Sequence, residues 1–189
     1  MKLNNKYYLL RHGEAVSNVK NILSSWPEQF ENPLTEHGVA MVKEAAATLH
    51  GKGIEIIFCS DILRTQQTAE IIGKALGLAP IPDARLREIN FGEFNGKEDP
   101  GMNLGFASED ERVAHRRLGG ESYEDVRDRV MDFLQDSEKS HEGKNILVVS
   151  HECPLWILES QVRGFTLQAY LKMIPKQERI KKAEVRTLN

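Results

Sequence analysis

The chain has 189 residues and a formal net charge of −3, with 40% hydrophobic and 28% charged residues. That balance argues against a disordered chain and against a broad nucleic-acid or membrane-surface binder, and it describes an ordinary soluble globular protein. The length suits a single domain, 1–189, with room for one small insertion and enough chain to bury a core without staples. The two cysteines, Cys59 and Cys153, each lie beside an apolar run and read as reduced, partly buried thiols. With no disulfide framework, a cytoplasmic location is expected. Met1 to Leu10 lacks the long apolar stretch and cleavage site of a signal peptide, and no segment reaches membrane-spanning length.

In chain order, the first strand signal is Tyr7-Tyr8-Leu9-Leu10, which runs directly into Arg11-His12-Gly13-Glu14. Thr35 is placed to cap a helix with Val39, Val42, Ala46 and Leu49 on one face, and Gly51 stops it. A second apolar run, Ile54 to Cys59, leads into Ser60-Asp61. Asp61 is placed to cap a helix with Arg64 in its first turn, Thr68, Ile72 and Ala75 inward, and an end before Gly77. The stretch from about 90 to 120 breaks the rhythm with four glycines and a proline up to Gly105, and reads as an inserted loop and short helix. Ser108 with Glu111 resembles a capping box there, and Arg112, Arg116 and Arg117 follow. Those arginines read as a solvated helix face in preference to a substrate clamp. Ser122 with Asp125 opens a helix carrying Tyr123, Val126, Val130 and Phe133 at helical spacing. The third apolar run, Ile146 to Val149, ends in Ser150-His151-Glu152, and a fourth helix is expected after Pro154.

Short β-rich runs alternating with amphipathic helices predict an α/β fold with a largely parallel sheet. All three runs end in polar, chemistry-bearing residues. Strand C-termini share one edge of an open parallel sheet, and ligands bind there. If the three strands are neighbours, Arg11, His12, Arg64 and His151 converge. Two arginines and two histidines call for an anion, and a phosphoryl group fits the paired donors of arginine. Other phosphotransfer patterns fail on spacing. A thiol phosphatase needs Cys, five residues, then Arg, whereas only four residues separate Cys59 from Arg64. Leu155 stands where a His-Glu-x-x-His zinc helix needs its second histidine, and there is no P-loop.

The ordered set Leu10-Arg11-His12-Gly13-Glu14, Asn18, Pro33-Leu34-Thr35, His37-Gly38, Cys59-Ser60-Asp61 with Arg64-Thr65, Leu86-Arg87-Glu88, Gly92, Gly96, Gly120-Glu121-Ser122 and Ser150-His151 resembles the histidine phosphatase superfamily. That group holds the cofactor-dependent phosphoglycerate mutases and many small phosphatases. The resemblance implies a three-layer α/β sandwich, with a mostly parallel sheet and helices on both faces. It implies His12 as the nucleophile, with Arg11, Arg64 and His151 as ligands of the phosphoryl oxygens. Glu88 matches the proton donor, and Asn18 and Ser24 match positions touching phosphate or substrate. Neither metal nor cofactor is implied. The expected partner is a small phosphorylated metabolite or a phosphoprotein, and the resemblance sets no oligomeric state. The chain departs from the family pattern at Glu152, where glycine usually follows the histidine. A carboxylate there opposes phosphate unless it turns aside, binds a cationic group of the substrate, or supports a protonated His151.

Three functions follow: a phosphomonoesterase working through phosphohistidine, a phosphoglycerate mutase, and a non-catalytic phosphate sensor or scaffold. The complete chemical set weighs against the sensor. The mutases of the family carry a His-Tyr-Gly stretch after the proton donor and an arginine near the substrate. Here Asn90 and Phe91 replace the first two and Ile22 the last. The reading closest to this chain is therefore a small phosphatase.

Overall fold

The computed structural model describes residues 1–189, the side chains of Met102 and Asn103 excepted. Its strands are β1 (Lys6–Arg11), β2 (Ile56–Cys59), β3 (Ile81–Pro82), β4 (Asn145–Ser150) and β5 (Val185–Thr187). They form one five-stranded sheet in the order β3-β2-β4-β1-β5, with β5 antiparallel to β1 and the other pairings parallel. Tyr7 and Leu9 face one side and pack with Ile146, Val148 and the helix α4 (Tyr123–Ser140). Tyr8 and Leu10 face the other, against Val42, Ile57, Ile72 and Val149. Burial of both faces explains why these strands are unbroken apolar runs with no polar alternation. Each such side chain contributes about 1.5–3 kcal/mol when taken out of water.

The helices α2 (Glu36–Leu49) and α3 (Leu63–Leu76) cover one face, and α4 and α5 (Glu152–Val162) cover the other. Two short helices, α1 (Val16–Val19) and α6 (Leu167–Met173), complete the set. The Thr35 cap is present: its hydroxyl accepts the Gly38 N–H at 2.9 Å. So is the capping box of Ser122 and Asp125.

Three local expectations are corrected. Asp61 does not cap α3. Its carboxylate is drawn to the Arg87 guanidinium, and Ile62 takes the cap position. The Ser108–Glu111 box does not form, and only a 3₁₀ turn over Asp110–Val113 appears. Its neighbour Glu109 is pulled to Arg179, at 2.7 and 2.8 Å, and to the Tyr123 hydroxyl at 3.0 Å, while Glu111 accepts from the Ala107 N–H. The helix expected after Pro154 starts earlier, at Glu152. Proline is tolerated in a first turn because its missing N–H has no intrahelical partner there.

Candidate active site

The ladders that align the strands also align the chemistry. Arg11 pairs with Ser150 across β1 and β4, and the ladder continues past the strand end as His12 N–H donates to Ser150 C=O at 3.0 Å. Cys59 pairs with Val149, and Ser60 N–H donates to Val149 C=O at 3.0 Å. His12, Ser60 and His151 therefore sit side by side at the C-terminal edge of the sheet. The two imidazoles lie 5.2 Å apart, centroid to centroid, at 64°. The loop after His12 is pressed onto the start of α2. A Cβ on Gly13 would lie 2.6 Å from the Gly38 carbonyl oxygen, so the backbone fits there only as glycine.

The hydrogen bonds fix the tautomer of His12. Its Nδ1 lies 2.7 Å from the Gly13 carbonyl oxygen, which can only accept. Its Nε2 lies 3.2 Å from Nε of Arg64, which can only donate. The ring is thus a neutral imidazole, with its proton on Nδ1 and its Nε2 lone pair directed at a cation-lined cavity. Burial, then the charges of Arg64 and Arg11, hold its pKa well below the usual imidazole value.

Arg64 is buried in the first turn of α3 and spans the site. It donates from Nη2 to the Ser24 carbonyl oxygen at 2.9 Å and to Nδ1 of His151 at 3.1 Å. Its Nη1 reaches the Ser24 hydroxyl at 3.4 Å and the Glu28 carboxylate at 3.3 Å. His151 is fully buried and places Nε2 3.0 Å from the Ser60 hydroxyl. Burial, followed by Arg64 and His12, also lowers its pKa well below the usual value.

Arg11 points into the same cavity. Its Nη1 donates to the Ile180 carbonyl oxygen at 3.1 Å and pairs with Glu152 at 2.6 Å. Its buried Nε finds no partner among the described residues. An unmade bond at a buried donor costs about 1–3 kcal/mol, which an acceptor entering the cavity recovers. Glu152 does not stand off from the site. It is turned onto Arg11.

Glu88 is on the cavity wall, and one carboxylate oxygen accepts the Ile89 N–H at 3.0 Å. Burial raises its pKa above the usual carboxylate value, opposed by Arg64 and Arg11 and reinforced by Glu152. Its backbone is held by Arg129, which donates to the Glu88 carbonyl oxygen at 3.2 Å and pairs with Glu121 at 3.0 Å. Glu121 in turn accepts the Asn90 N–H at 2.8 Å.

The cavity has a volume of about 440 Å³ and is lined by Arg11, His12, Asn18, Ser24, Arg64 and Glu88, among others. Asn18 reaches it, but its side-chain oxygen caps α1 by accepting the Ala15 N–H at 3.0 Å. Glu14 is structural, accepting the Thr35 hydroxyl at 2.9 Å. Of the three arginines read as a solvated face, Arg112 instead packs over the Tyr123 ring and lines the cavity. Arg117 stacks on Phe106, and Arg116 pairs with Asp125. Glu28, Arg129 and the pairing of Glu152 with Arg11 were not foreseen. Ser60 had a signal, its place at a strand end, but its contact with His151 did not.

A model of the histidine phosphatase superfamily (branch 1) matches residues 7–186. A protein of Escherichia coli O1:K1 named "Probable phosphoglycerate mutase GpmB" is 34% identical over 167 residues, covering 83% of this chain and 74% of that one. The solved structure of Bacillus stearothermophilus YhfR superposes with a TM-score of 0.82 at 26% identity, covering 96% of this chain and 89% of that one. Mycobacterial glucosyl-3-phosphoglycerate phosphatase has the same fold, with a TM-score of 0.80 at 24% identity over 95% of this chain and 87% of that one.

Proposed function

Because the chain belongs to the histidine phosphatase superfamily, we propose that it is a phosphomonoesterase acting through a phosphohistidine on His12, as one domain with 90–120 an insertion beside the site. The observation that carries this reading is the Nε2 lone pair of a neutral, buried His12 beside a cavity lined by Arg11 and Arg64, with His151 buried against Arg64 at 3.1 Å. The phosphoryl oxygens replace the present partners of Arg64 and satisfy Nε of Arg11. Nε2 of His12 then attacks phosphorus as the ester P–O bond breaks, and Glu88 gives its proton to the leaving oxygen. Water, deprotonated by the Glu88 carboxylate, next attacks the phosphohistidine, releasing phosphate and restoring Nε2. Fixed guanidinium groups neutralise the developing charge, so the reaction as written needs no metal. Turnover of an aryl phosphate should survive exhaustive chelation, and vanadate should inhibit it; strict dependence on added metal would sink this route.

The name of the Escherichia coli relative keeps the mutase reading open, and the cavity wall supports the phosphatase. Ile22 and Phe91, both apolar, line it where the resemblance places groups that hold a mutase substrate. A mutase must also keep water from its phosphoenzyme while the substrate reorients. With 3-phosphoglycerate and a trace of 2,3-bisphosphoglycerate, phosphate release is expected to outpace formation of 2-phosphoglycerate. The opposite ratio would establish the mutase.

Glu152 gives a second test of the same site. Its carboxylate competes with substrate for Arg11, across an ion pair at 2.6 Å that is partly exposed. Such pairs are worth up to about 1 kcal/mol, or about fivefold in binding. Glu152→Gly is expected to lower KM for simple phosphate monoesters by up to about that factor. It also removes a charge that raises the pKa of Glu88, so the basic limb of the activity profile should move to lower pH. An unchanged KM and an unchanged limb would show that the pair with Arg11 does not compete with substrate.

A further inference from the structure

We propose that Ser60 is a positioning residue that lets His151 meet a phosphoryl oxygen as a neutral hydrogen-bond donor, by accommodating a change in which ring nitrogen carries the proton. This rests on the phosphoryl-site reading above and concerns how that site takes up its ligand.

With Arg64 as its partner, the ring of His151 is of the wrong kind to bind an anion. Arg64 Nη2 lies 3.1 Å from Nδ1 and can only donate, so Nδ1 presents a lone pair. The proton of the neutral ring is then on Nε2, 3.0 Å from the Ser60 hydroxyl oxygen, which accepts it. The same oxygen accepts the Ile62 N–H at 3.3 Å. When a phosphoryl oxygen takes over the Arg64 N–H, it faces Nδ1, and two lone pairs repel.

Two changes remove that repulsion. One adds a second proton to make an imidazolium. The other moves the single proton from Nε2 to Nδ1. The surroundings oppose the first. The ring is fully buried, and the charged groups acting on it are the cations Arg64 of α3, Arg11 of β1 and Arg129 of α4, with His12 also beside it. The carboxylates that could offset them are engaged elsewhere, Glu152 with Arg11 and Glu28 with Arg64, while Glu88 stands on the cavity wall. The second change needs a group that accepts from Nε2 in one state and donates to it in the other. A hydroxyl does both by rotation, and Ser60 supplies one at the required distance. One proton leaves Nε2 and one binds Nδ1 as the anion enters, so the ring stays neutral and takes up no net proton. Burial of Ser60, with its backbone pinned to Val149 and its carbonyl oxygen accepting the Thr65 hydroxyl at 3.1 Å, holds that hydroxyl in place.

The test is nitrogen NMR of protein labelled with ¹⁵N-histidine, with tungstate as the probe because it remains a dianion across the neutral range. His151 is expected to carry its proton on Nε2 without tungstate and on Nδ1 with it, neutral in both states. Ser60→Ala should bind tungstate about tenfold more weakly at neutral pH, the order of one lost hydrogen bond. Its affinity should also weaken as pH rises, because the ring must then bind as an imidazolium. Ser60→Thr, which keeps the hydroxyl, should restore the pH profile of the unmodified protein. An imidazolium in the unmodified complex, an unmoved proton, or Ser60→Ala binding with unchanged affinity and pH profile would each overturn the proposal, and the first two need no variant. Failure of tungstate to bind the unmodified protein at all would instead overturn the phosphoryl-site reading and this inference with it.

Discussion

Replacing His12 with alanine is expected to lower turnover of any phosphomonoester by at least about a thousandfold, and to abolish covalent labelling of the chain by substrate. The expectation follows from the placement of one atom. Nε2 of His12 lines the cavity as a neutral nucleophile whose lone pair is held by a neighbour that must leave on substrate binding: Arg64, at 3.2 Å, has stronger work to do on an anion. Arg11, Arg64 and His151 remain in the variant, so phosphate binding should persist while the covalent step is lost. That separates a nucleophile from a binding residue, whose removal would raise KM. Acid-quenching the unmodified enzyme during turnover should trap phosphate that is labile to acid and stable to base, as a phosphoramidate is, on His12. Turnover of His12→Ala near that of the unmodified enzyme would refute the mechanism.

The parts of this site that were legible in the sequence are those carried by strand ends. An apolar run buried on both faces identifies a strand, and its first polar residue identifies the ligand edge. Arg11, His12 and His151 are therefore legible from the sequence alone. Arg64 was found because it lies in the first turn after such a run. What stayed hidden depended on contacts between distant segments. Edge strands β3 and β5 are two and three residues long, and β3 includes a proline, so neither shows a periodic pattern. Glu152 was noticed as an odd residue beside His151, but its target, Arg11, is set by β1 lying next to β4. Asp61 gives up its expected cap for a distant arginine, and Glu109, beside the expected Ser108–Glu111 box, pairs with another. A bidentate or charge-assisted pair outweighs a cap worth about 1 kcal/mol, and no sequence window contains both partners. The Ser60–His151 contact joins residues 91 positions apart and is hidden for the same reason.

Glu88→Gln is expected to reduce hydrolysis of alkyl phosphates by about a hundredfold to ten-thousandfold and of a nitrophenyl phosphate far less. An alkoxide is a poor leaving group and needs a proton as the P–O bond breaks, whereas nitrophenolate departs without one. Gln keeps the size and hydrogen-bonding reach of the side chain, and Arg129 still holds the backbone at this position, so the site should remain assembled. The pH profile carries the same argument. His12 must be neutral to attack and is active above its pKa, which burial and two arginines press down. Glu88 must be protonated to donate and is active below its pKa, which burial pushes up. Left at their ordinary values, imidazole would titrate above the carboxyl, and little enzyme would hold both groups in the required form. Both shifts act to reverse that order and open a pH window in which the two required forms coexist. With an alkyl substrate, activity should therefore rise with pH through the His12 titration and fall through that of Glu88. In Glu88→Gln the falling limb should vanish while the rising limb stays. If the variant lost equal activity on both substrate types, or kept the falling limb, the proton would have to come from another group.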